Sequence, residues 1–373
     1  MTITSFIPTQ RTLMGPGPSD VSARVLSALA RPTIGHLDPL FIDMMDEVKS
    51  MLQYAFQTEN AHTIALSAPG SAGMEACFVN LVEPGDKVIV CINGVFGMRM
   101  LENIKRIGAT PVIIESPWGR AVEVQKVEDA LKSNPDAKFL AFVHAETSTG
   151  ARSDAKTLGA LAKEHDCLTI VDAVTSLGGS ELRVDEWQID AIYSGSQKCL
   201  SCVPGISPVS FSERAAEVIT SRGAPIQSWF LDQSLVMGYW SGQGKRAYHH
   251  TAPVNSLYAL HESLVMLQEE GLEQCWQRHQ NMHNELANGL QALGLDFIVP
   301  EQERLAQLNA VYIPEGIDDG KIRSFLLNEY NLEIGAGLGD FAGKAWRIGL
   351  MGHAARKENV ALCLAALQDA LNQ

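Results

Sequence analysis

Between Thr63 and Phe211 the chain alternates between short apolar runs and amphipathic stretches of helical period. The apolar runs are Thr63–Ser67, Lys87–Ile92, Thr110–Ile114, Lys138–His144, Leu168–Val171, Ala191–Ser194 and Ile206–Phe211, too short for helices. Between them, Ala72–Leu81, Met98–Ile107, Val124–Lys132 and Asp154–His165 each read as about three helical turns. Apolar strands of this kind are covered on both faces, and helical crossovers let neighbours run parallel. The expected fold is therefore α/β: a mostly parallel sheet of seven strands, covered by helices. Reactive groups in such a sheet gather at the carboxyl ends of the strands. Ser71, His144, Asp172 and Lys198 all fall at or just past such ends.

The flanks read differently. Residues 1–20 form a polar arm with proline and glycine, too poor in periodicity for a core element. Ala23 to about Gln57 is helical, broken at Pro32 and Pro39. After a linker around Gly238–Arg246 come two long amphipathic helices, Leu257–Glu270 and Leu272–Leu293. Short strands at Asn309–Ile313, Leu332–Ile334 and Trp346–Ile348 follow, with helices at Ile322–Tyr330 and Lys357–Leu371. This predicts a large domain over 21–249 and a smaller α+β domain over 250–373.

Charge narrows the partners. With 29 basic and 43 acidic residues the net charge is −14, which disfavours a nucleic-acid surface while allowing a local anion pocket. No apolar run approaches a membrane span, and the opening residues lack the charged-then-apolar layout of a secretory leader. Asp369–Gln373 carries no tripeptide of the Ser-Lys-Leu kind. Seven scattered cysteines fit free thiols in a reducing cytoplasm. Cys199 and Cys202 form a Cys-x-x-Cys without the second pair a zinc site needs, so no metal is expected.

Two strand ends stand out. Leu168-Thr-Ile-Val-Asp172 closes an apolar run on a carboxylate, a residue type depleted inside such strands. Asp190-Ala-Ile-Tyr-Ser-Gly-Ser-Gln-Lys198 closes another on small residues and a single lysine. Upstream, Ala68-Pro69-Gly70-Ser71-Ala72-Gly73 joins a strand to a helix, where free N–H groups suit a phosphate. One chemistry needs a lysine, a strand-end Asp and a phosphate turn together, that of pyridoxal 5′-phosphate (PLP). The lysine amine condenses with the cofactor aldehyde, and the carboxylate pairs with the ring nitrogen so that the ring draws off electrons. In isolation Lys198 is simply a solvated lysine after a strand; its company changes the reading.

Val-Asp-Ala-Val-Thr-Ser-Leu-Gly-Gly (171–179) followed by Tyr-Ser-Gly-Ser-Gln-Lys (193–198) resembles the class V, fold-type I aminotransferases. The branch it resembles comprises the alanine:glyoxylate and serine:glyoxylate (serine:pyruvate) enzymes. The similarity runs from Gly15-Pro-Gly-Pro-Ser19 to Arg347-Ile-Gly-Leu-Met-Gly352. It implies Lys198 and Asp172 as the catalytic residues, and Gly70 and Ser71 as phosphate contacts. It also implies Phe96 stacked on the ring, Ser148 beside its phenolic oxygen or phosphate edge, and Gln197 at the phosphate. Tyr248 and Thr251 match a segment that reaches the partner's phosphate in a homodimer with shared sites. Arg347 matches the arginine that holds the substrate carboxylate. The implied reaction moves an amino group from alanine or serine to glyoxylate.

Rivals are a cysteine desulfurase or related lyase of the same class, and a transaminase for ureidoglycine, pyridoxamine or aspartate. The desulfurases place His before the lysine and need a mobile Cys; here Gln197 precedes it. A PLP-binding protein without turnover is a further alternative, which intact Lys198, Asp172 and Arg347 disfavour. Gly335-Ala-Gly-Leu-Gly339 superficially looks like a dinucleotide fingerprint but lies late and outside a βαβ unit.

Overall fold

The computed structural model describes residues 3–240 and 246–372. The first half runs β1 (Thr12–Met14), α1 (Ala23–Leu29), α2 (Pro39–Phe56), β2 (His62–Leu66), α3 (Gly70–Leu81), β3 (Lys87–Ile92), α4 (Val95–Ile107), β4 (Thr110–Glu115), α5 (Val124–Ser133) and β5 (Ala137–Val143). A short hairpin of β6 (Ala145–Glu146) and β7 (Ala151–Arg152) precedes α6 (Ala155–Glu164), β8 (Leu168–Asp172), β9 (Ala191–Tyr193), β10 (Ser207–Phe211), α7 (Glu213–Thr220) and α8 (Gln233–Trp240). The remainder holds α9 (Val254–Glu270), α10 (Leu272–Ala292), β11 (Leu308–Tyr312), α11 (Asp319–Glu329), β12 (Leu332–Ala336), β13 (Ala345–Gly349) and α12 (Lys357–Leu371).

The large sheet has seven strands in the order β2-β10-β9-β8-β5-β3-β4. Only β10 runs against its neighbours, β2 and β9; the other pairs are parallel. Its central strands are buried along almost their whole length, which is why their sequences show no polar alternation. Helices α3 and α4 begin earlier than expected, at Gly70 and Val95. The first turn of α3, Gly70-Ser-Ala-Gly, is built of small residues, and that of α4 is interrupted by Gly97, so neither shows the apolar period.

The second sheet has the order β1-β12-β13-β11, with β1 parallel to β12 and the other pairs antiparallel. The arm expected to stay outside any core thus contributes a strand. Met14 is fully buried with Ile334, Trp346 and Ile348. Three residues are too few to show a period, so the strand is visible only through its distant partner.

Beyond β1 the arm threads between this sheet and the lysine loop. Pro16 packs where a Cβ on Gly335 would stand, and Gly17, at φ +107°, lies flat against the Lys198 side chain. Only glycine adopts that backbone freely, and any Cβ there would overlap the lysine. Ser19 N–H then bonds the Gln197 carbonyl at 2.9 Å, and its hydroxyl bonds the Lys198 carbonyl at 2.7 Å.

The expected boundary near residue 250 does not coincide with the division between cores. Val254, Leu257, Leu260 and Leu264 of α9 join the core of the large sheet, as does Cys275 at the start of α10. Met282, Leu286 and Leu290, further along α10, pack under the small sheet. One helix serves both cores, and its apolar stripe passes from one to the other without a break in sequence. The linker placed at Gly238–Arg246 lies largely outside the described residues.

Candidate active site

Parallel β8 and β9 set Asp172 directly opposite Tyr193. Both side chains are buried, and the Tyr193 hydroxyl donates to Asp172 Oδ2 at 2.8 Å. Val174 N–H donates to Oδ1 at 2.9 Å. Burial pushes the Asp172 carboxyl up to about 7, against the pull of these two donors. No cation lies within 4.0 Å of it among the described residues. Tyr193 went unnoticed as a site residue, because a tyrosine in an apolar strand reads as core.

Lys198 follows the turn after β9. Its side chain is buried, and its Nζ donates to the Pro16 carbonyl. Burial pushes the amine down to about 8, and the nearby Arg347 guanidinium adds to that shift. About a tenth is therefore neutral near pH 7, far more than for an ordinary lysine, and that is the state a nucleophile needs. Gly70, at the head of α3, approaches the same turn so closely that a Cβ would sit 3.3 Å from the Ser194 carbonyl. Ser71 is exposed beside it on the first turn of α3, whose cap residue Pro69 makes no side-chain bond. The α3 N-terminus is thus open to an anion. Gln197 carries a buried Oε1 with no hydrogen-bond partner.

Phe96 and Ser148 meet through a residue not singled out from the sequence. Glu146 is fully buried, and its carboxylate accepts from Ser148 N–H at 3.0 Å, Ser148 Oγ at 2.6 Å and Phe96 N–H at 3.1 Å. Ser148 Oγ in turn accepts from Val95 N–H at 3.0 Å. The only hydroxyl proton of Ser148 is therefore committed to Glu146. Ser148 thus lies beside Phe96 and faces Glu146. Glu146 escaped notice because a Ser/Thr-rich turn reads as a solvated loop. His144 is a buried neutral residue set edge-on to Trp187 at 5.6 Å, with its pKa pushed down to about 3 by burial.

Arg347, on β13, is half-buried and donates to the Ala336 carbonyl at 2.7 Å and the Thr147 carbonyl at 3.0 Å. No carboxylate lies within 4.0 Å of it among the described residues; burial pushes its pKa down, and the charge of Glu146 pulls it back up. Tyr248 and Thr251 stand apart from this cluster. Tyr248 is 65 % exposed and bonds Thr251 at 3.3 Å, while neighbouring His250 lies 2.7 Å from Ser67 at the end of β2.

The residues fit PLP point by point. A poorly solvated amine is suited to condense with an aldehyde, a buried carboxylate has no cation beside it among the described residues, and an uncapped helix end can take an anion. Among the described residues no group of ligating side chains suits a metal. Fold and site together define a PLP-dependent aminotransferase. The aminotransferase class-V family matches residues 20–352, and the chain belongs to that family. It is 41 % identical to the alanine–glyoxylate aminotransferase of Oryctolagus cuniculus over 97 % of this chain and 92 % of that one. It is 38 % identical to the (S)-ureidoglycine–glyoxylate transaminase of Bacillus subtilis, over 97 % and 90 %. The crystal structure of an alanine–glyoxylate aminotransferase from Nostoc sp. superposes with a TM-score of 0.97 at 44 % identity, covering 100 % of this chain and 98 % of that one.

Proposed function

We propose that this aminotransferase moves the amino group of alanine or serine to glyoxylate, giving glycine and a 2-oxo acid. The observation that carries the proposal is Arg347, a half-buried guanidinium near Lys198 with no carboxylate partner among the described residues. A half-buried cation that no carboxylate touches favours a small carboxylate ligand, and both donor and acceptor have one. The named reactions of the relatives support glyoxylate as acceptor, since it is common to the alanine and ureidoglycine enzymes. The similar identity to the Bacillus enzyme makes (S)-ureidoglycine the second donor to consider.

Bound PLP supplies a ring that takes up the electron pair left on the substrate Cα. Asp172 keeps the ring nitrogen protonated, and Tyr193 and Val174 fix the carboxylate for that bond. The Lys198 amine, once free, removes the Cα proton as base and returns one as acid. Gly70, Ser71 and Gln197 receive the phosphate, Phe96 covers the ring, and Arg347 orients the α-carboxylate.

Desulfurase chemistry finds no support, because every cysteine is buried and Cys199 and Cys202 have thiols pushed up to about 12. Exposed Tyr248 and Thr251, with Trp229 at 60 % exposure on the same segment's neighbour His249, support a homodimer in which they reach the partner's site. Free thiols support a cytoplasmic setting. Among the described residues, no helix is long and apolar enough to cross a membrane.

The test is a visible absorption spectrum followed by a substrate panel. Purified protein should show the band of lysine-bound PLP, lost in Lys198→Ala. Alanine, serine, ureidoglycine and aspartate are then paired with glyoxylate and pyruvate. Failure to take up PLP, or turnover only with aspartate, would overturn the proposal.

A further inference from the structure

Helix α4 begins without a cap of its own. Its N-cap residue is Gly94, which makes no side-chain bond. A Cβ at that position would strike the Glu146 carboxylate and the Ser148 hydroxyl. The usual Ser or Asp is therefore excluded there, and the free N–H groups of the first turn are answered from β6 and the turn after it. Val95 N–H goes to Ser148 Oγ at 3.0 Å and Phe96 N–H to Glu146 Oε2 at 3.1 Å. Gly97 N–H also stabilises the carboxylate. Burial pushes the Glu146 carboxyl up, but the Ser148, Phe96 and Gly97 N–H groups can only donate to it and, with the Ser148 hydroxyl, pull it back down, so the geometry of the pocket favours the carboxylate form. A negative charge at a helix N-terminus is favourable in itself.

The same carboxylate has a second neighbour. Arg347 donates to the carbonyl of Thr147, the residue between Glu146 and Ser148, so cap and guanidinium share one tripeptide. Glu146 is also the counter-charge that Arg347 feels.

Resting on the aminotransferase function proposed above, we propose that Glu146 is a positioning residue with two tasks. It holds Phe96 in place for the cofactor by capping α4 from across the site. It also tempers the field of Arg347, so that the substrate carboxylate is oriented without being held too tightly.

Glu146→Gln keeps the shape, removes the charge and turns an NH₂ group against N–H donors. Protein stripped of PLP should bind added PLP at least tenfold more weakly, read by fluorescence titration. In the reloaded enzyme the inhibition constant of a non-reacting carboxylate, propionate, should fall several-fold while kcat also falls. General loosening would instead weaken propionate and lower the Tm of the PLP-free chain. Ser148→Ala breaks the cap but leaves the charge, so it should weaken PLP with propionate affinity unchanged. It also decides the matter if the Gln variant does not fold. Wild-type PLP affinity in these variants, or weaker propionate binding with a lower Tm, overturns the assignment. If the wild-type chain binds no PLP, the functional proposal has failed, a result distinct from failure of the Glu146 assignment.

Discussion

Tyr193 donates its phenolic proton to Asp172 across 2.8 Å from the directly opposing position on the next strand. The hydroxyl is one of two donors that hold the carboxylate in a fixed orientation. Tyr193→Phe should retain PLP, since the phosphate turn is untouched. Its kcat should fall about three- to tenfold, roughly 1 kcal/mol, because the carboxylate becomes more basic and less well aimed. An unchanged kcat would show that the ring of Tyr193 only fills space.

The titration of Asp172 and Lys198 predicts a conflict between stability and function. Asp172 is raised from 3.8 to about 7, so the folded PLP-free chain holds a proton that the unfolded chain has lost. Its stability therefore falls as pH rises from about 4 to about 7. Lys198 is lowered from 10.5 to about 8, so the unfolded chain holds the extra proton and stability rises with pH across that window. Both penalties are present together between pH 7 and 8. Asp172→Asn should stabilise the PLP-free chain at pH 7.5, on the order of 2–4 kcal/mol, with the gain vanishing near pH 4. Turnover of the loaded enzyme should drop more than tenfold, about 1.4 kcal/mol or more. Thermal unfolding at the two pH values checks the first part; a less stable variant at pH 7.5 would contradict it.

Arg347→Lys should lower kcat/KM for donor and acceptor together, by roughly 2–5 kcal/mol for a buried pair. Two of the guanidinium nitrogens are occupied by the Ala336 and Thr147 carbonyls, so the fork is already oriented. A lysine keeps the charge but cannot hold both carbonyls and a carboxylate. Single-turnover rates of each half-reaction measure the effect. Loss of PLP instead would place Arg347 against the cofactor.

Mixing two inactive proteins tests the shared site. Lys198→Ala chains combined with Tyr248→Phe/Thr251→Ala chains should regain part of the activity, since one hybrid site would be intact. A fully active monomer by sedimentation would rule out the arrangement.

The sheet was legible in sequence because each strand announces itself locally, as an apolar run bounded by turns. Asp172 and Lys198 were legible for the same reason, as polar residues that interrupt such runs. What stayed hidden depends on distant partners. Thr12–Met14 is a strand only beside Leu332–Ile334. Glu146 acquires its meaning from the bare N-terminus of α4. Ser148 was legible only through family resemblance, which gave no sign of its bond to Glu146.

The seating of β1 beside β12 also sets a timetable for synthesis. The residues that lie over Lys198 leave the ribosome long before their sheet partner, Leu332–Ile334. A nascent chain can assemble the seven-stranded sheet and display its lysine long before that amine is covered. Folding of the catalytic centre is thus completed by a contact of high sequence separation, the kind that forms late and slowly. Until then the half-made protein carries a solvent-open amine on a finished scaffold, and cofactor captured at that stage would be held without the arm.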